Sequence, residues 1–380
     1  MTTTATTTTT PDVAIVTQDP RFGGGALSQL QAFVESTRAL RREPTVLYAR
    51  RSPLRGPFPL PDVRALQTHS RLSRLDAAGI ALGARRIAPL VESSPSVWVC
   101  ATIAFYGLPA LRSRRSYGCW IGTTYDAEQQ GRLPGLGPLR RLSVRTNGVA
   151  LRRWERAVLQ EASVVYAPSY SIAAEVADVA GGAIEVGVLP IPIDTKRFVP
   201  LDEATWTAMP PRLVFVGRAD DPRKNVGLLL DAFEQARVAV PDLTLRLVGR
   251  PPKLRLPAGV ESVGEVRNVA DHVRDARLLV LPSVQEGFGI VAAEALACGV
   301  PVVTTPCGGP EETVRESGGG AVLESFDPGE LAAVVVSLIE DEPGLTRMRR
   351  AARRHVVETY DVQRFRDEFA SAMHRLDRAA

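Results

Sequence analysis

Two glutamates and two basic residues lie in glycine-rich segments in the second half of the chain. Glu286 and Glu294 stand eight residues apart in EGFGIVAAE, where a glycine loop leads into an apolar helix. Upstream, VGRADDPRKN contributes Arg218 and Lys224, and downstream PCGGPEE adds a second glycine turn. Cations and the amides at a helix N-terminus neutralise phosphate groups, and carboxylates accept hydrogen bonds from hydroxyls. The pattern therefore predicts a site for a sugar that is carried on a diphosphate.

Two of these placements are costly unless a ligand is bound. Lys224 is one of only three lysines, and it precedes a helix N-terminus, where a positive charge is unfavourable. Glu294 lies in IVAAEALA, a segment that is apolar on nearly every side of the helix, and a carboxylate buried there without partners would be costly. A ribose diol could donate two hydrogen bonds to it. The alternatives are that Arg218 and Lys224 are ordinary surface cations and that Glu294 faces solvent.

Glycines near these acids let a ligand approach the backbone closely. The helix after Glu286 opens with three residues whose amides suit a phosphate group: Phe288, Gly289 and Ile290. In the first half of the chain, a glycine triplet follows the first predicted strand and comprises Gly23, Gly24 and Gly25. The triplet does not fit GxGxxG, so it predicts either a ligand-facing loop or a plain tight turn.

Strands and helices alternate along the chain, and this pattern predicts parallel sheets flanked by helices. In the first half, strands are predicted at 12–18, 45–50, 96–103, 119–125 and 163–169, and helices at 26–40 and 149–162. In the second half, strands are predicted at 212–217, 243–249, 277–283 and 300–305, and helices at 225–236 and 289–298. Ligands of such sheets bind beyond the carboxyl ends of the strands, in the loops where the suspected residues fall.

At 380 residues the chain is long enough for two domains. The segment 187–211 has five prolines and no sustained periodicity, which predicts the interdomain linker. The predicted fold class is α/β, with two Rossmann-like, doubly wound parallel-sheet domains that face a cleft. Its parts are a disordered threonine-rich tail (1–10), a first domain (11–195), a linker (196–211), a second domain (212–360) and a C-terminal helix (361–380) that packs back on the first domain.

The composition excludes a disordered or membrane-spanning chain, because 45% of the residues are hydrophobic, 23% are charged and no apolar run approaches 18 residues. The N-terminus lacks the basic and apolar regions of a signal peptide, so a cytoplasmic protein is expected. Residues 1–200 carry a net charge of +9 and the remainder carries −5. The arginine-rich first half predicts either a solvated surface or contact with an anionic membrane or acceptor.

No metal centre or disulfide framework is expected. The four cysteines show no CxxC pairing, and the four histidines are scattered. The chain also lacks Asp-x-Asp, the usual carboxylate clamp for a divalent ion on a sugar nucleotide. The phosphates would then be neutralised by side-chain cations and backbone amides, without a metal or another cofactor.

The combination of GR…RKN, E-x7-E and GGPEE with the two-domain pattern resembles the GT-B glycosyltransferases of family 4, which are retaining enzymes that use nucleotide-activated sugars. The resemblance covers essentially the whole chain and is densest over 212–325. It implies that Arg218 and Lys224 hold the donor diphosphate and that Glu286 contacts the transferred sugar, so these three residues are the expected catalytic groups. It also implies that Glu294 holds the ribose of the nucleotide.

The resemblance implies two further contacts with the donor. The region from Gly264 to Val266 would lie near the base. The N-terminal glycine loop, with Gly24 and Gly25, would border the cleft and help to place donor and acceptor.

The first domain departs from this family in one respect. Many relatives carry a histidine there that touches the donor sugar, but this chain has no histidine between His69 and His272. The corresponding stretch is WIGTTYDAEQQ, which offers as substitutes Thr123, Thr124, Tyr125 and Asp126. Thr124 and Asp126 are the predicted acceptor or sugar contacts.

The expected function is transfer of a sugar from a UDP- or GDP-sugar to a small-molecule, glycan or lipid-linked acceptor, in cell-envelope or natural-product glycosylation. The nucleotide sugar is a co-substrate, and no nucleic-acid partner is expected. One alternative is a nucleotide-sugar epimerase, which would need a buried acid/base pair that the sequence does not clearly offer. The other is a non-catalytic subunit that binds nucleotide sugars or carbohydrates.

Overall fold

A seven-stranded parallel sheet organises the first half of the described chain. The computed structural model describes residues 12–20, 25–50, 59–60, 64–69, 76–130, 138–182 and 184–379. The strands of this sheet are β1 (Val13–Thr17), β2 (Pro44–Arg50), β3 (Arg64–His69), β4 (Ser96–Ala101), β5 (Gly118–Ile121), β6 (Val164–Ala167) and β7 (Val186–Val188). They lie in the order β3-β2-β1-β4-β5-β6-β7, and each pair of neighbours is parallel.

Helices cover both faces of this sheet. They are α1 (Gly25–Ala39), α2 (Asp76–Glu92), α3 (Leu108–Ser113), α4 (Tyr125–Gln130), α5 (Pro138–Gln160) and α6 (Tyr170–Ala180). Strands β1 and β4 are buried along their whole length. Strands buried on both faces are read as continuous apolar runs, and VAIVT and SVWVCA are such runs.

A six-stranded parallel sheet organises the second half. Its strands are β8 (Arg212–Val216), β9 (Thr244–Val248), β10 (Val260–Gly264), β11 (Leu278–Leu281), β12 (Val302–Thr304) and β13 (Gly320–Val322), in the order β10-β9-β8-β11-β12-β13. The helices after residue 200 are α7 (Glu203–Thr207), α8 (Val226–Ala239), α9 (Ala270–Val273), α10 (Ile290–Ala297), α11 (Gly309–Ser317), α12 (Pro328–Glu340), α13 (Glu342–Thr359) and α14 (Val362–Ala379).

The strand order reverses direction at one point in each sheet. In the second sheet this point lies between β8 and β11, which are parallel neighbours. The loops that leave two such strands diverge to opposite faces of the sheet and open a crevice, which is where ligands of doubly wound sheets bind. The fold therefore brings the loop after β8, with Arg218 and Lys224, beside the loop after β11, with Glu286.

The last helix, α14, packs on the first domain. Phe369 contacts Phe33 with ring centroids 4.9 Å apart, and the Trp98 indole N–H donates to the Met373 sulfur at 2.7 Å. Near the point where the chain returns to the first domain, Ile193 and Asp361 form a parallel bridge. Apolar burial fixes this return, since Phe369 is fully buried.

Regular structure extends into the segment predicted as the linker. Strand β7 overlaps the start of 187–211, and α7 lies near the end of that segment. Trp206 of α7 is fully buried, with the guanidinium groups of Arg277 and Arg349 at 4.2 Å and 4.6 Å from its ring centroid. These cation–π contacts attach the end of the linker to the second domain.

The predicted fold class of two Rossmann-like doubly wound domains is confirmed. Several boundaries differ. The predicted strand 119–125 ends at Ile121 because the chain turns into α4, and the helix predicted at 149–162 begins at Pro138. The predicted tail, residues 1–10, lies outside the described residues. No helix among the described residues is long and apolar enough to cross a membrane.

Candidate active site

Lys224 and Glu286 meet at the carboxyl ends of β8 and β11. The Lys224 ammonium contacts Glu286 Oε1, and the buried Ser283 hydroxyl donates to the same oxygen at 2.7 Å. The two loops are also joined through the backbone, because the Val284 N–H donates to the Arg223 carbonyl at 2.8 Å. Both side chains of the ion pair are mostly shielded from solvent, with exposed fractions of 16% and 15%. The predicted cation and the first predicted acid therefore share one site.

The loop of Glu286 is pressed against the second glycine turn. The Glu286 N–H donates to the Cys307 carbonyl at 2.8 Å, and Glu286 forms a parallel bridge with Gly308. A Cβ atom at Gly309 would lie 1.9 Å from the Gly287 carbonyl oxygen, so the close approach of the two loops requires glycine there. Gly289 is the N-cap of α10 and has a φ of 69°, a left-handed conformation that favours glycine. The glycines thus fix where Glu286 and the start of α10 lie.

Glu294 lies in α10, one turn after Ile290. Its side chain is mostly buried, and no group among the described residues hydrogen-bonds to its carboxylate. Burial raises the pKa of Glu294 to about 7, against a lowering by the charge of Arg197. A buried carboxylate with free acceptor capacity is costly, and hydroxyl donors would relieve that cost. The geometry suits the predicted contact with a diol.

Arg218 is held at the crevice by a residue that the sequence reasoning missed. Its Nη2 donates to Asp221 Oδ2 at 3.0 Å, and its side chain is 48% exposed. Asp221 also binds Arg223 and accepts the Arg223 N–H at 3.1 Å. Burial works to raise the pKa of Asp221, but hydrogen bonds and charge from Arg223, with Arg218, lower it to about 2. Asp221 therefore stays ionised and orients both arginines.

The signal for Asp221 was present in the sequence. In DDPRK an aspartate precedes a proline, an arrangement typical of the start of a helical turn. Residues Pro222–Lys224 do form a 3₁₀ turn, and Asp221 caps it. This turn aims Lys224 at Glu286.

The donor residues predicted around the start of α10 lie together. Phe288 is buried and packs edge-on against Tyr360 with ring centroids 5.3 Å apart. Ile290 is the first residue of α10, and a Cβ atom at Gly25 would lie 3.9 Å from its Cγ2. The beginning of α1 in the first domain therefore lies against the beginning of α10 in the second. Gly23 and Gly24 are outside the described residues.

Gly264 and Val266 follow the end of β10. The Gly249 N–H donates to the Gly264 carbonyl at 2.8 Å, which joins the ends of β9 and β10. Val266 is half-buried against the core. This loop leaves the same edge of the sheet as the Lys224 and Glu286 loops, and the contact of Val266 with a base remains a prediction.

The loop after β5 brings the first domain into contact with the second. The Gln285 amide donates to Thr123 Oγ1 at 3.4 Å, and a Cβ atom at Gly287 would lie only 2.7 Å from the Gly122 carbonyl oxygen. Thr123 therefore lies beside the Glu286 loop, although the predicted contacts were Thr124 and Asp126.

Thr124 and Asp126 are instead engaged within the first domain. The Thr124 hydroxyl donates to Glu175 at 3.4 Å, and Arg152 Nε donates to Asp126 at 2.9 Å. Their proposed contact with a sugar stays a prediction, and it would require these internal bonds to be shared or exchanged.

A buried glutamate of the first domain binds the start of α4, directly after the β5 loop. Glu155 of α5 is 2% exposed and accepts the Tyr125 N–H at 2.9 Å. Burial raises the pKa of Glu155 to about 8, although the Tyr125 N–H acts in the opposite direction. No group of three or more His, Cys, Asp or Glu side chains within the described ranges is placed to hold a metal ion.

The second domain matches a known protein family. Residues 210–341 match the family model described as Glycosyl transferases group 1. D-inositol 3-phosphate glycosyltransferase 1 of Catenulispora acidiphila is 36% identical over 164 residues, which cover 38% of this chain and 39% of that protein. The chain thus spans about two fifths of the length of this curated relative.

Two solved structures share the fold over nearly the whole chain. Sucrose-phosphate synthase from Thermosynechococcus elongatus has a TM-score of 0.78 at 19% identity and covers 97% of this chain and 100% of its own. HepE from Anabaena, solved with UDP and glucose, has a TM-score of 0.73 at 18% identity and covers 96% and 99%. At these identities the likeness shows the two-domain fold alone.

Proposed function

We propose that this chain, which belongs to the GT-B glycosyltransferases of family 4, transfers a sugar from a UDP- or GDP-sugar to an acceptor hydroxyl with retention of configuration. The observation that carries the proposal is the Glu294 carboxylate, which is mostly buried and has no hydrogen-bond partner among the described residues. It lies in the helix that follows the loop of the Lys224–Glu286 pair. A nucleotide ribose would supply the donors that this carboxylate lacks.

In this proposal the donor diphosphate lies against Arg218, Lys224 and the amides at the start of α10. Arg218 is already oriented by Asp221 and is half exposed, so a phosphate can reach it. The Lys224 ammonium contacts Glu286 directly. When a sugar hydroxyl or a phosphate enters, the ammonium can share this contact with the ligand. The chain's own cations neutralise the phosphates in this proposal, so no metal is invoked.

The reaction follows from where charge develops. The bond between the anomeric carbon and the phosphate oxygen breaks, which moves negative charge onto the departing diphosphate and positive character onto the ring. Arg218, Lys224 and the amides stabilise the first. The acceptor hydroxyl attacks from the face that the phosphate vacates, and its proton passes to a phosphate oxygen. The configuration is therefore retained.

The first domain is the proposed acceptor side. Exposed arginines lie on α2 (Arg85), directly after α3 (Arg114) and on α5 (Arg153). Burial lowers the pKa of Arg112, and the positive charge of Arg85 lowers it further. An acceptor with an anionic group, such as a lipid-linked glycan at an anionic membrane surface, would be attracted here. Flotation with phosphatidylglycerol vesicles, compared with neutral vesicles, tests this part.

The experiment for the donor is a thermal-shift screen with UDP, GDP, UDP-glucose and GDP-mannose. UDP-glucose is the first choice because the structural neighbour HepE was solved with UDP and glucose. A donor that binds only the folded chain, at a free concentration of 100 times its Kd, adds about 2.7 kcal/mol to the free energy of unfolding. Glu294→Gln should reduce the shift, and Glu340→Gln, an exposed glutamate at the end of α12, is the matched control.

Turnover is then measured with and without an acceptor. Incubation with the donor alone would yield an epimer if the chain were an epimerase. Tight binding without turnover over a broad acceptor panel would indicate a binding subunit. If none of the nucleotides shifts the melting temperature, the proposed donor site is wrong.

A further inference from the structure

A carboxylate of the second domain caps a helix of the first. Both oxygens of Glu312, in the first turn of α11, accept backbone N–H groups at the start of α6. Tyr170 donates at 2.8 Å and Ser171 at 2.9 Å. The N-terminal amides of a helix lack partners within the helix and carry partial positive charge, so a carboxylate there is stabilising.

The cap of α6 is shared between the two domains. Ser169 supplies the usual local cap, because its hydroxyl oxygen accepts the Ile172 N–H at 3.3 Å. The two amides that Ser169 leaves open are those that Glu312 binds. Helix α6 spans 11 residues and α11 spans 9, so both partners are mounted on regular elements. The contact therefore fixes the distance between the domains at this edge of the cleft.

A second contact crosses the cleft through charged side chains. Arg223 Nη1 donates to Glu128 Oε2 at 3.1 Å, and the two side chains are only 13% and 18% exposed. Glu128 lies on α4 in the first domain, and Arg223 lies in the 3₁₀ turn of the second. We call these two contacts, Glu312 with α6 and Arg223 with Glu128, the clasp.

Each half of the clasp is attached to a residue of the candidate active site. Glu312 lies four residues after Gly308, which bridges Glu286. Arg223 immediately precedes Lys224, whose ammonium contacts Glu286. A shift of the first domain at the clasp would therefore move the elements that place Lys224 and Glu286.

We propose that Glu312 is a positioning residue that holds the two domains in the closed arrangement needed for sugar transfer. The proposal rests on the proposed function, since closure matters only if an acceptor on the first domain must meet a donor on the second. Among the described residues, the hydrogen bonds of the Glu312 carboxylate go to Tyr170 and Ser171, and neither is a predicted donor residue. Its loss should leave donor binding nearly intact and slow the transfer step, because small misplacements of reacting groups cost on the order of 10²-fold in rate.

The main test is Glu312→Gln, with Glu311→Gln as its matched control. Glu311 lies in the same turn, but it binds the N–H of Gly308, the N-cap of α11, and the Arg315 side chain of the same helix. Glutamine serves equally well at this capping position, so Glu311→Gln should behave like the wild type. For Glu312→Gln we expect kcat to fall about tenfold or more, while the Kd for the nucleotide changes less than about twofold.

A second variant removes the other partner of the same hydrogen bond. Tyr170→Pro deletes one amide that Glu312 binds, and proline is favoured at the first position of a helix. The preceding residue, Ser169, is extended at φ −151° and ψ 164°, which a following proline accepts. The Tyr170 side chain is 69% exposed, so its loss should cost little packing. Tyr170→Pro should lower kcat, and the double variant should be no slower than Glu312→Gln alone.

X-ray scattering of the same proteins measures domain closure and does not depend on catalytic activity. The radius of gyration should be larger for Glu312→Gln than for wild type and Glu311→Gln. Rescue by Glu312→Asp would support a carboxylate contact. An unchanged kcat together with an unchanged radius of gyration overturns the clasp, and so does an equal loss of kcat and nucleotide affinity. If the wild type transfers no sugar, the proposed function fails, while the scattering result still decides the clasp.

Discussion

The two sides of the cleft use their polar side chains differently. In the first domain, three polar groups after β5 are bonded within their own domain: the Thr124 hydroxyl to Glu175, Asp126 to Arg152, and the Tyr125 amide to Glu155. In the second domain, Glu294 has no hydrogen-bond partner among the described residues and Arg218 is half exposed. The sheets share one strand order up to the sixth strand, so the difference lies in the loops. These polar groups of the first domain are bonded to their own domain, whereas Glu294 and Arg218 of the second domain can still bind a ligand.

The largest effect is expected for Lys224→Ala. The substitution removes the ammonium that contacts Glu286 and that we place against the diphosphate. Loss of one preorganised group that stabilises developing charge commonly lowers kcat by roughly 10²–10³-fold. Steady-state kinetics with the donor found in the thermal screen measures it.

The matched control is Lys253→Ala, since Lys253 is an exposed lysine of the same domain. It should leave kcat unchanged. Equal kcat values for the wild type and Lys224→Ala would remove the distinction between the two sides of the cleft.

The next effect concerns the unpartnered carboxylate. Glu294→Gln keeps the shape of the side chain but loses the charge that two ribose hydroxyls would bind. Hydrogen bonds to charged groups contribute about 1.5–3 kcal/mol, so nucleotide affinity should fall roughly 10- to 100-fold. Calorimetric titration with the nucleoside diphosphate alone measures this, and an unaltered Kd would show that the ribose lies elsewhere.

A buried carboxylate on the first side should affect stability and leave donor binding alone. The pKa of Glu155 is raised by burial from 4.5 to about 8, so the neutral form favours the folded state. That contribution is complete below about pH 4.5 and is lost as the pH rises to about 8. Relative to Glu155→Gln, the free energy of unfolding of the wild type should therefore fall across this range.

Urea unfolding at several pH values follows this difference, and nucleotide Kd is measured alongside it. A constant difference between the two proteins from pH 4.5 to 8 would contradict the assignment. A large change in nucleotide Kd would place Glu155 on the ligand side of the comparison.

The smallest effect is expected for Asp126→Asn. Its ion pair with Arg152 is half exposed on both partners, and exposed pairs contribute about 0.2–1 kcal/mol. The melting temperature should therefore change little, and kcat should stay within a few-fold if Asp126 only holds its own loop. A loss of kcat on the scale of Lys224→Ala would instead support the predicted sugar contact.

Much of the second domain could be predicted because its chemistry lies in short, local patterns. Lys224 and Glu294 stood out since each would be costly without a partner, and parallel strand ends meet at one edge of a sheet. Asp221 was missed even though DDPRK carries the signal for a capped turn. Its role as the residue that orients Arg218 depends on the fold of that turn.

The first domain was harder to predict because its site depends on contacts between distant residues. Nothing local in GTTYDAE shows that Thr123 faces Gln285 while Asp126 turns to Arg152. The edge strand β3, RALQTH, is polar, and the edge strand β7 lies in a proline-rich segment, so neither has the apolar run of a central strand. Glu312 caps α6 by binding Tyr170 and Ser171, which precede it by 142 and 141 positions. No local sequence pattern predicts a contact between such distant residues.

Proton release on donor binding tests the central claim most directly. In the folded chain without a ligand, burial raises the pKa of Glu294 to about 7. Hydrogen bonds from ribose hydroxyls to its carboxylate would lower that value. Calorimetric titration at pH 7 in buffers of different ionisation enthalpy should then show release of up to about half a proton per nucleotide bound, and none for Glu294→Gln. Binding that releases no proton, or the same release from Glu294→Gln, would contradict the account.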